Sequence, residues 1–128
     1  MPSRDQFDAF VADVLSNDHA GAIERWYAPE ASMQENQSEP RRGRERLIAE
    51  ETVVLASVES VKSELIGEPL LDGDHAAIRW RFTFTRADGA TMVMDEVAWQ
   101  QWQGDQIVRE QFFYDPAQRR FSPSSGAS

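Results

Sequence analysis

The sequence predicts an α+β domain in which a cone-shaped, curved antiparallel sheet packs against three N-terminal helices. Three observations predict it. Up to about residue 56, apart from one short strand, the apolar residues recur at helical spacing, and from Val58 onward they follow the two-residue alternation of strands. Asp72-Gly73-Asp74, Asp88-Gly89 and Gly104-Asp105 then punctuate the alternation as tight turns.

The helical half reads element by element. Ser3 with Gln6 three residues later is a capping-box pattern, and Phe7, Phe10, Val11, Val14 and Leu15 follow on one helical face. Asn17-Asp18 caps a second, shorter helix whose inward residues are Ile23, Trp26 and Tyr27, ending near Pro29. A strand over residues 31–36 comes next. Because strand side chains alternate, the face that buries Met33 also points Glu35 inward. The turn at residues 38–43 leads into a third helix over 44–56, with Leu47, Ile48, Glu51 and Leu55 on one face and Glu50-Glu51 partly solvated.

In the strand half, Gly67-Glu68-Pro69 interrupts the first segment like an edge bulge. Residues 75–86 carry the clearest alternation, with Ile78, Trp80, Phe82 and Phe84 against Arg79, Arg81, Thr83 and Thr85. Strands over 90–102 and 106–114 follow. A single domain is predicted over 1–121 and a disordered tail over 122–128.

Composition narrows the function classes. The 128 residues carry a formal net charge of −9 and a pI near 4.6, which oppose attraction to nucleic acid or anionic lipid. There is no cysteine, which removes thiolate chemistry and disulfides and fits a cytoplasmic location. No secretory leader pattern opens the chain and no apolar run is long enough to span a membrane. Arg41, Arg42, Arg44 and Arg46 flank Gly43 at a helix start; they read as a solvated charged turn ahead of an anion site. His19 and His75 lie beside turn acids and are expected exposed, and neither has metal-ligand spacing to the other. No nucleophile elbow, phosphate loop or dinucleotide fingerprint occurs, so no cofactor is expected.

The order of elements, with Trp26-Tyr27-Ala28-Pro29-Glu30-Ala31, the Gly43-Arg44 helix start and the ending Glu110-Gln111-Phe112-Phe113-Tyr114-Asp115-Pro116, resembles the SnoaL-like branch of the nuclear transport factor 2-like superfamily. That superfamily includes isomerases, dehydratases, cyclases, hydrolases and binding domains, so the resemblance implies a fold before it implies a reaction. In its ketosteroid isomerases the stretch before Ser-Glu-Pro-Arg-x-Gly is similar to Met33 to Gly43, and an acid on this strand is the general base. Glu35 matches that acid, allowing one residue fewer before Ser38. The tyrosine and protonated aspartate that stabilise the oxyanion in those enzymes match Val11 and Ala98 here, so both donors are missing. The polyketide cyclases draw acid-base groups from late strands, where this chain has Glu96 and Glu110.

Alternation puts Met94, Glu96, Ala98, Gln100 and Trp102 on one face and Val108, Glu110, Phe112 and Tyr114 on another. If both faces are concave, Glu35, Glu96 and Glu110 converge, and like charges in an apolar pocket push at least one carboxyl toward the neutral form. The alternative for Glu35 is a carboxylate bonded to backbone or to Trp26, Trp80 or Tyr114; for Glu96 and Glu110 it is an ion pair with Arg44, Arg46 or Arg79. Trp26, Met33, Asn36, Trp80, Met94, Phe112 and Tyr114 are the expected ligand contacts, although aromatic stripes at strand spacing are also ordinary core. Asn36, Gln100 or Tyr114 would have to supply an oxyanion donor.

The expected function is binding of a small apolar molecule, with cofactor-free proton transfer on a carbonyl compound as isomerase, dehydratase or cyclase chemistry. The rival is a non-catalytic ligand-binding or dimerisation module. Arg81, Trp99 and Phe113 on the opposite sheet face predict a homodimer interface in which guanidinium groups stack on rings.

Overall fold

The computed structural model describes residues 1–123. Helix α1 (Arg4–Leu15) opens on a reciprocal cap: Ser3 Oγ accepts the Gln6 N–H at 3.0 Å and Gln6 Oε1 accepts the Ser3 N–H at 2.9 Å. Its apolar stripe buries Phe7, Phe10, Val11 and Val14. In α2 (His19–Trp26) the Asp18 carboxylate caps the Gly21 N–H. The helix stops at Trp26 and β1 (Tyr27–Glu35) starts on the next residue, earlier than the strand predicted from residue 31. Pro29 lies inside β1, in the stretch where its register against the last strand slips, so the missing N–H costs no ladder bond there.

A short β2 (Arg41–Arg42) folds back on β1 with Arg41 opposite Met33, and Gly43, at φ 100°, turns the chain into α3 (Arg44–Ala56). Then come β3 (Ser60–Leu65), β4 (Leu70–Asp72), β5 (His75–Thr85), β6 (Thr91–Gln103) and β7 (Gln106–Phe113), with a short 3₁₀ turn at Pro116–Gln118. Both β3 and β4 pair with β5, the Gly67-Glu68-Pro69 break lying between them.

The sheet order is β2-β1-β7-β6-β5-β3, with β4 beside β5. All neighbours are antiparallel except β1 and β7, which run parallel, so the curved, unclosed sheet is mixed. Apolar alternation reports which face is buried and carries no strand direction, which is why this pair escaped the sequence. A second departure is local. Between Gln101 and Trp102 the β6–β7 register shifts, Gln101 facing Arg109 and Trp102 facing Ile107. The extra residue, Val108, turns partly outward, and Ile107 takes its expected inward place.

The three helices cover the concave face, where Phe7, Phe10, Ile23, Leu47, Ile78, Trp80, Trp102 and Ile107 form the core. On the opposite face Val93, Val97, Trp99 and Phe113 are exposed. The arginines there do not stack on those rings: Arg79 and Arg81 pair with Asp95, and Trp99 stacks on the exposed His75 imidazole at 5.5 Å. Ser122, assigned to the disordered tail, instead pairs with Thr91 through two backbone hydrogen bonds. The remainder of that predicted tail, 124–128, lies outside the described residues. No helix among the described residues is long and apolar enough to cross a membrane.

Candidate functional site

Between helices and concave face lies a cavity of about 180 Å³. Its walls are mostly apolar: Phe10, Trp80, Phe82, Phe84, Met94 and Phe112 among them, with Val54 and Arg119 exposed at the rim. Trp80 and Phe82 stack at 5.6 Å and both line the cavity, so this aromatic stripe is wall as well as core. Into this apolar lining project four carboxylates, Glu35, Glu51, Glu96 and Glu110.

Glu35 ends β1, two residues from the buried Met33 and on its face. It is partly exposed and held by two partners. Arg41 Nη2 donates to Oε2 at 2.8 Å, and Tyr114 Oη donates to Oε1 at 3.1 Å. Arg41 also reaches Glu50 at 3.0 Å, and Arg46 completes that cluster. The supposedly solvated basic turn is therefore an ion-pair network across the β1–β2 hairpin. Arg119 in turn donates to Tyr114 Oη at 3.3 Å.

Glu96 and Glu110 behave differently, and neither pairs with an arginine. Glu110 is fully buried, which pushes its carboxyl up to about 7 even though the Gln100 and Tyr27 hydrogen bonds pull it back. Tyr27 Oη donates to Oε1 and Gln100 Nε2 to Oε2 at 2.6 Å, while Gln100 Oε1 accepts the Trp102 indole N–H at 3.0 Å. Desolvation also raises the Tyr27 phenol well above its ordinary range, so it stays a donor. Replacing Tyr27 by Phe strips one donor from a buried carboxylate; urea unfolding at pH 7 is expected to show a loss of about 1–3 kcal/mol.

Glu96 has no hydrogen-bond partner among the described residues. Burial raises its carboxyl to about 8, with the charges of Glu35, Glu110 and Glu51 pushing the same way. At neutral pH it is a carboxylic acid, a proton donor aimed at an apolar cavity. It sits two residues before Ala98 on the same face of β6, one step along from the position the isomerase comparison left empty. Val11 and Ala98 are packed core.

Several expected contacts lie elsewhere. Trp26 faces α1, its indole N–H donating to Asp13 at 2.7 Å and its ring edge-on to Phe10 and Trp102. Asn36 is a turn residue at φ 50°; its Oδ1 accepts the Tyr114 N–H and its carbonyl accepts from Gln111. Gln100 is wholly committed to Glu110 and Trp102. None of the three lines the cavity. Met33, Trp80, Met94, Phe112 and Tyr114 do.

Conversely, His19 was expected exposed and is not. α2 lays it edge-on against Phe82 at 5.0 Å with its side chain 11 % exposed. Glu51, Tyr27 and Arg119 are further lining residues not anticipated; for Glu51 the signal was present, since it shares a helical face with Leu47 and Leu55. Among the described residues no group of three or more metal-ligating side chains is arranged around a common point.

A family profile described as a SnoaL-like domain matches residues 7–110. The chain belongs to the SnoaL-like domain family. Its structure is similar to that of a Mesorhizobium loti protein provisionally described as a SnoaL-like polyketide cyclase, with 26 % identity, TM-score 0.71, and coverage of 86 % of this chain and 97 % of that one. A Catenulispora acidiphila protein of ketosteroid isomerase-like fold, in complex with trimethylamine, is 17 % identical with TM-score 0.72 over 91 % and 89 % of the two chains. TerC, co-crystallised with polyporic acid, is 14 % identical with TM-score 0.71 over 88 % and 91 %. No curated protein sequence matches the chain significantly. The SnoaL-like domain here thus shares its α+β architecture with proteins that hold small molecules.

Proposed function

We propose that this SnoaL-like domain binds a small, mostly apolar carbonyl compound in the cavity and moves a proton on it without a cofactor, as an isomerase, dehydratase or cyclase does. One observation supports the reading above others: a charged carboxylate, Glu35, and a neutral carboxylic acid, Glu96, line the same apolar cavity. A carboxylate paired with an arginine and a carboxylic acid held neutral by burial, in one cavity, are suited to be base and acid.

In this reading Glu35 takes the proton from carbon beside the carbonyl, and the negative charge passes to the carbonyl oxygen. Glu96 donates to that oxygen as charge develops, in a cavity whose low polarity strengthens the bond. Return of the proton from Glu35 to a second carbon gives isomerisation; its delivery to a β-hydroxyl, whose carbon–oxygen bond breaks to release water as the carbonyl re-forms and Glu96 recovers its proton, gives dehydration. Arg41 and Tyr114 fix the Glu35 carboxylate, and Arg119 lies behind Tyr114. A panel of cavity-sized ketones in deuterium oxide, followed by NMR, tests the reaction: enzyme-dependent exchange at the carbon beside the carbonyl is expected.

A second reading, a binder without turnover, is favoured by the two strong partners of Glu35, which satisfy it without any substrate. Absence of exchange across ketones that do bind would select it.

We also propose that the outer sheet face pairs two copies of the chain, because Val93, Val97, Trp99 and Phe113 are together too apolar for water. Sedimentation is expected to give a dimer at micromolar concentration and a monomer for Trp99→Arg with Phe113→Arg. A monomeric wild type overturns this.

A further inference from the structure

At the β3 edge of the sheet, side chains from three elements meet. Ser63 on β3 lies 2.7 Å from His19 Nε2 through its Oγ, and Glu51 Oε1 on α3 lies 3.6 Å from His19 Nδ1. The order carboxylate, imidazole, hydroxyl is the one that activates a serine. With the Nδ1 proton directed at Glu51, Nε2 is left to accept the Ser63 hydroxyl proton. The His19–Glu51 contact is longer than a hydrogen bond, and catalytic contacts of this kind often tighten only when substrate binds.

A purely structural tie between α2 and β3 needs neither the carboxylate nor this polarity. Asn17, in the turn before α2, already ties that end of the helix to β3, its Oδ1 accepting the Ser63 N–H at 3.0 Å. That bond fixes the Asn17 carboxamide, with its N–H donors, against Ser63. His19, Glu51 and Phe82, the strand partner of Ser63, line the apolar cavity, and Ser63 sits on the same face of the sheet, beside that lining.

We propose that Ser63, His19 and Glu51 form a nucleophilic site that hydrolyses small apolar carboxylic esters. Ser63 Oγ adds to the ester carbonyl carbon as its proton passes to His19 Nε2. The carbon–oxygen bond to the leaving alcohol breaks, and His19 returns that proton to the alcohol oxygen. Water then attacks the acyl-serine, giving its proton to His19; the acyl–oxygen bond breaks and Ser63 recovers the proton. Asn17 supplies donors to the oxyanion. Ser63 and His19 are the catalytic residues, and Glu51 is a positioning residue.

An alkyl fluorophosphonate, with intact mass and peptide mapping, tests the nucleophile in the wild-type protein. One adduct on Ser63 is expected; no adduct, or one on another residue, overturns the proposal. Hydrolysis of p-nitrophenyl butyrate then tests the roles, with circular dichroism to verify each fold. Ser63→Ala and His19→Gln are expected to lower kcat by about 10²-fold or more. Glu51→Ala is expected to lower kcat with KM unchanged, and Glu51→Asp to restore part of it. Unchanged hydrolysis in folded Ser63→Ala overturns the proposal.

Discussion

Replacing Glu35 by Gln is expected to lower carbon-bound proton exchange by between about 10²- and 10⁴-fold, the range a positioned general base contributes. Affinity for the same ketone should hold, since the apolar walls are untouched. The fold should hold as well: Arg41 loses one carboxylate but keeps Glu50 at 3.0 Å, so no cation is stranded. An accompanying contrast separates the acid from the base. Glu96→Ala should lower exchange with the oxyanion unassisted, whereas Glu96→Gln keeps an N–H donor and should lose less. Exchange unchanged in Glu35→Gln would remove Glu35 from the chemistry.

The second large effect concerns pH. Glu96 titrates at about 8 in the folded chain against 4.5 for an ordinary glutamate, so between those values the folded state holds a proton that the unfolded state has released. Stability from this group is therefore full below the unfolded value and is lost as pH rises through the folded one. At about 1.4 kcal/mol per pH unit, the loss from pH 5 to pH 8 amounts to roughly 4 kcal/mol at most. Glu110, raised to about 7, acts in the same direction over a narrower window.

Glu96→Gln, which mimics the neutral acid and cannot ionise, should remove much of that slope. Urea unfolding between pH 5 and 9 is expected to show the variant more stable than wild type above pH 8 and nearly equal at pH 5. A wild type whose stability rises over that range would contradict it. The same ionisation predicts that proton-transfer activity falls as pH passes 8, because the donor is then spent.

Much of this was legible from residue order, and the failures have physical causes. Ser3 and Gln6 announced α1, and the turn glycines placed the hairpins, because local hydrogen bonding and backbone freedom decide those features. Alternation put Glu35 inward with Met33, and grouped Glu96 and Glu110 on faces that would join it if they were concave, as they are. What alternation could not carry was non-local: the parallel β1–β7 pair, the Val108 bulge that re-phases β7, and the Arg41–Glu35 pair across a hairpin.

His19 shows the same limit from the other side. Beside Asn17-Asp18 it reads as a solvated turn residue, yet α2 packs it onto Phe82. Trp26 fails for a local reason: its indole N–H finds Asp13 on α1, so the ring turns from the cavity into the helix layer. Correspondence with the ketosteroid isomerases put the oxyanion donors at Val11 and Ala98, where none exists, and left Asn36, Gln100 or Tyr114 to supply one; Glu96, a neutral acid two residues from Ala98, was read only as a late-strand acid.

Carbon-13 NMR of protein labelled at the glutamate side-chain carboxyls, with the Glu96 signal assigned by its loss in Glu96→Gln, measures the pairing of charged base and neutral acid directly. The Glu96 carboxyl should remain protonated at pH 7 and titrate near 8, and its midpoint should drop in Glu35→Gln once the neighbouring charge is gone. A Glu96 signal titrating near 4.5, unmoved by Glu35→Gln, would contradict the division of the cavity into base and acid.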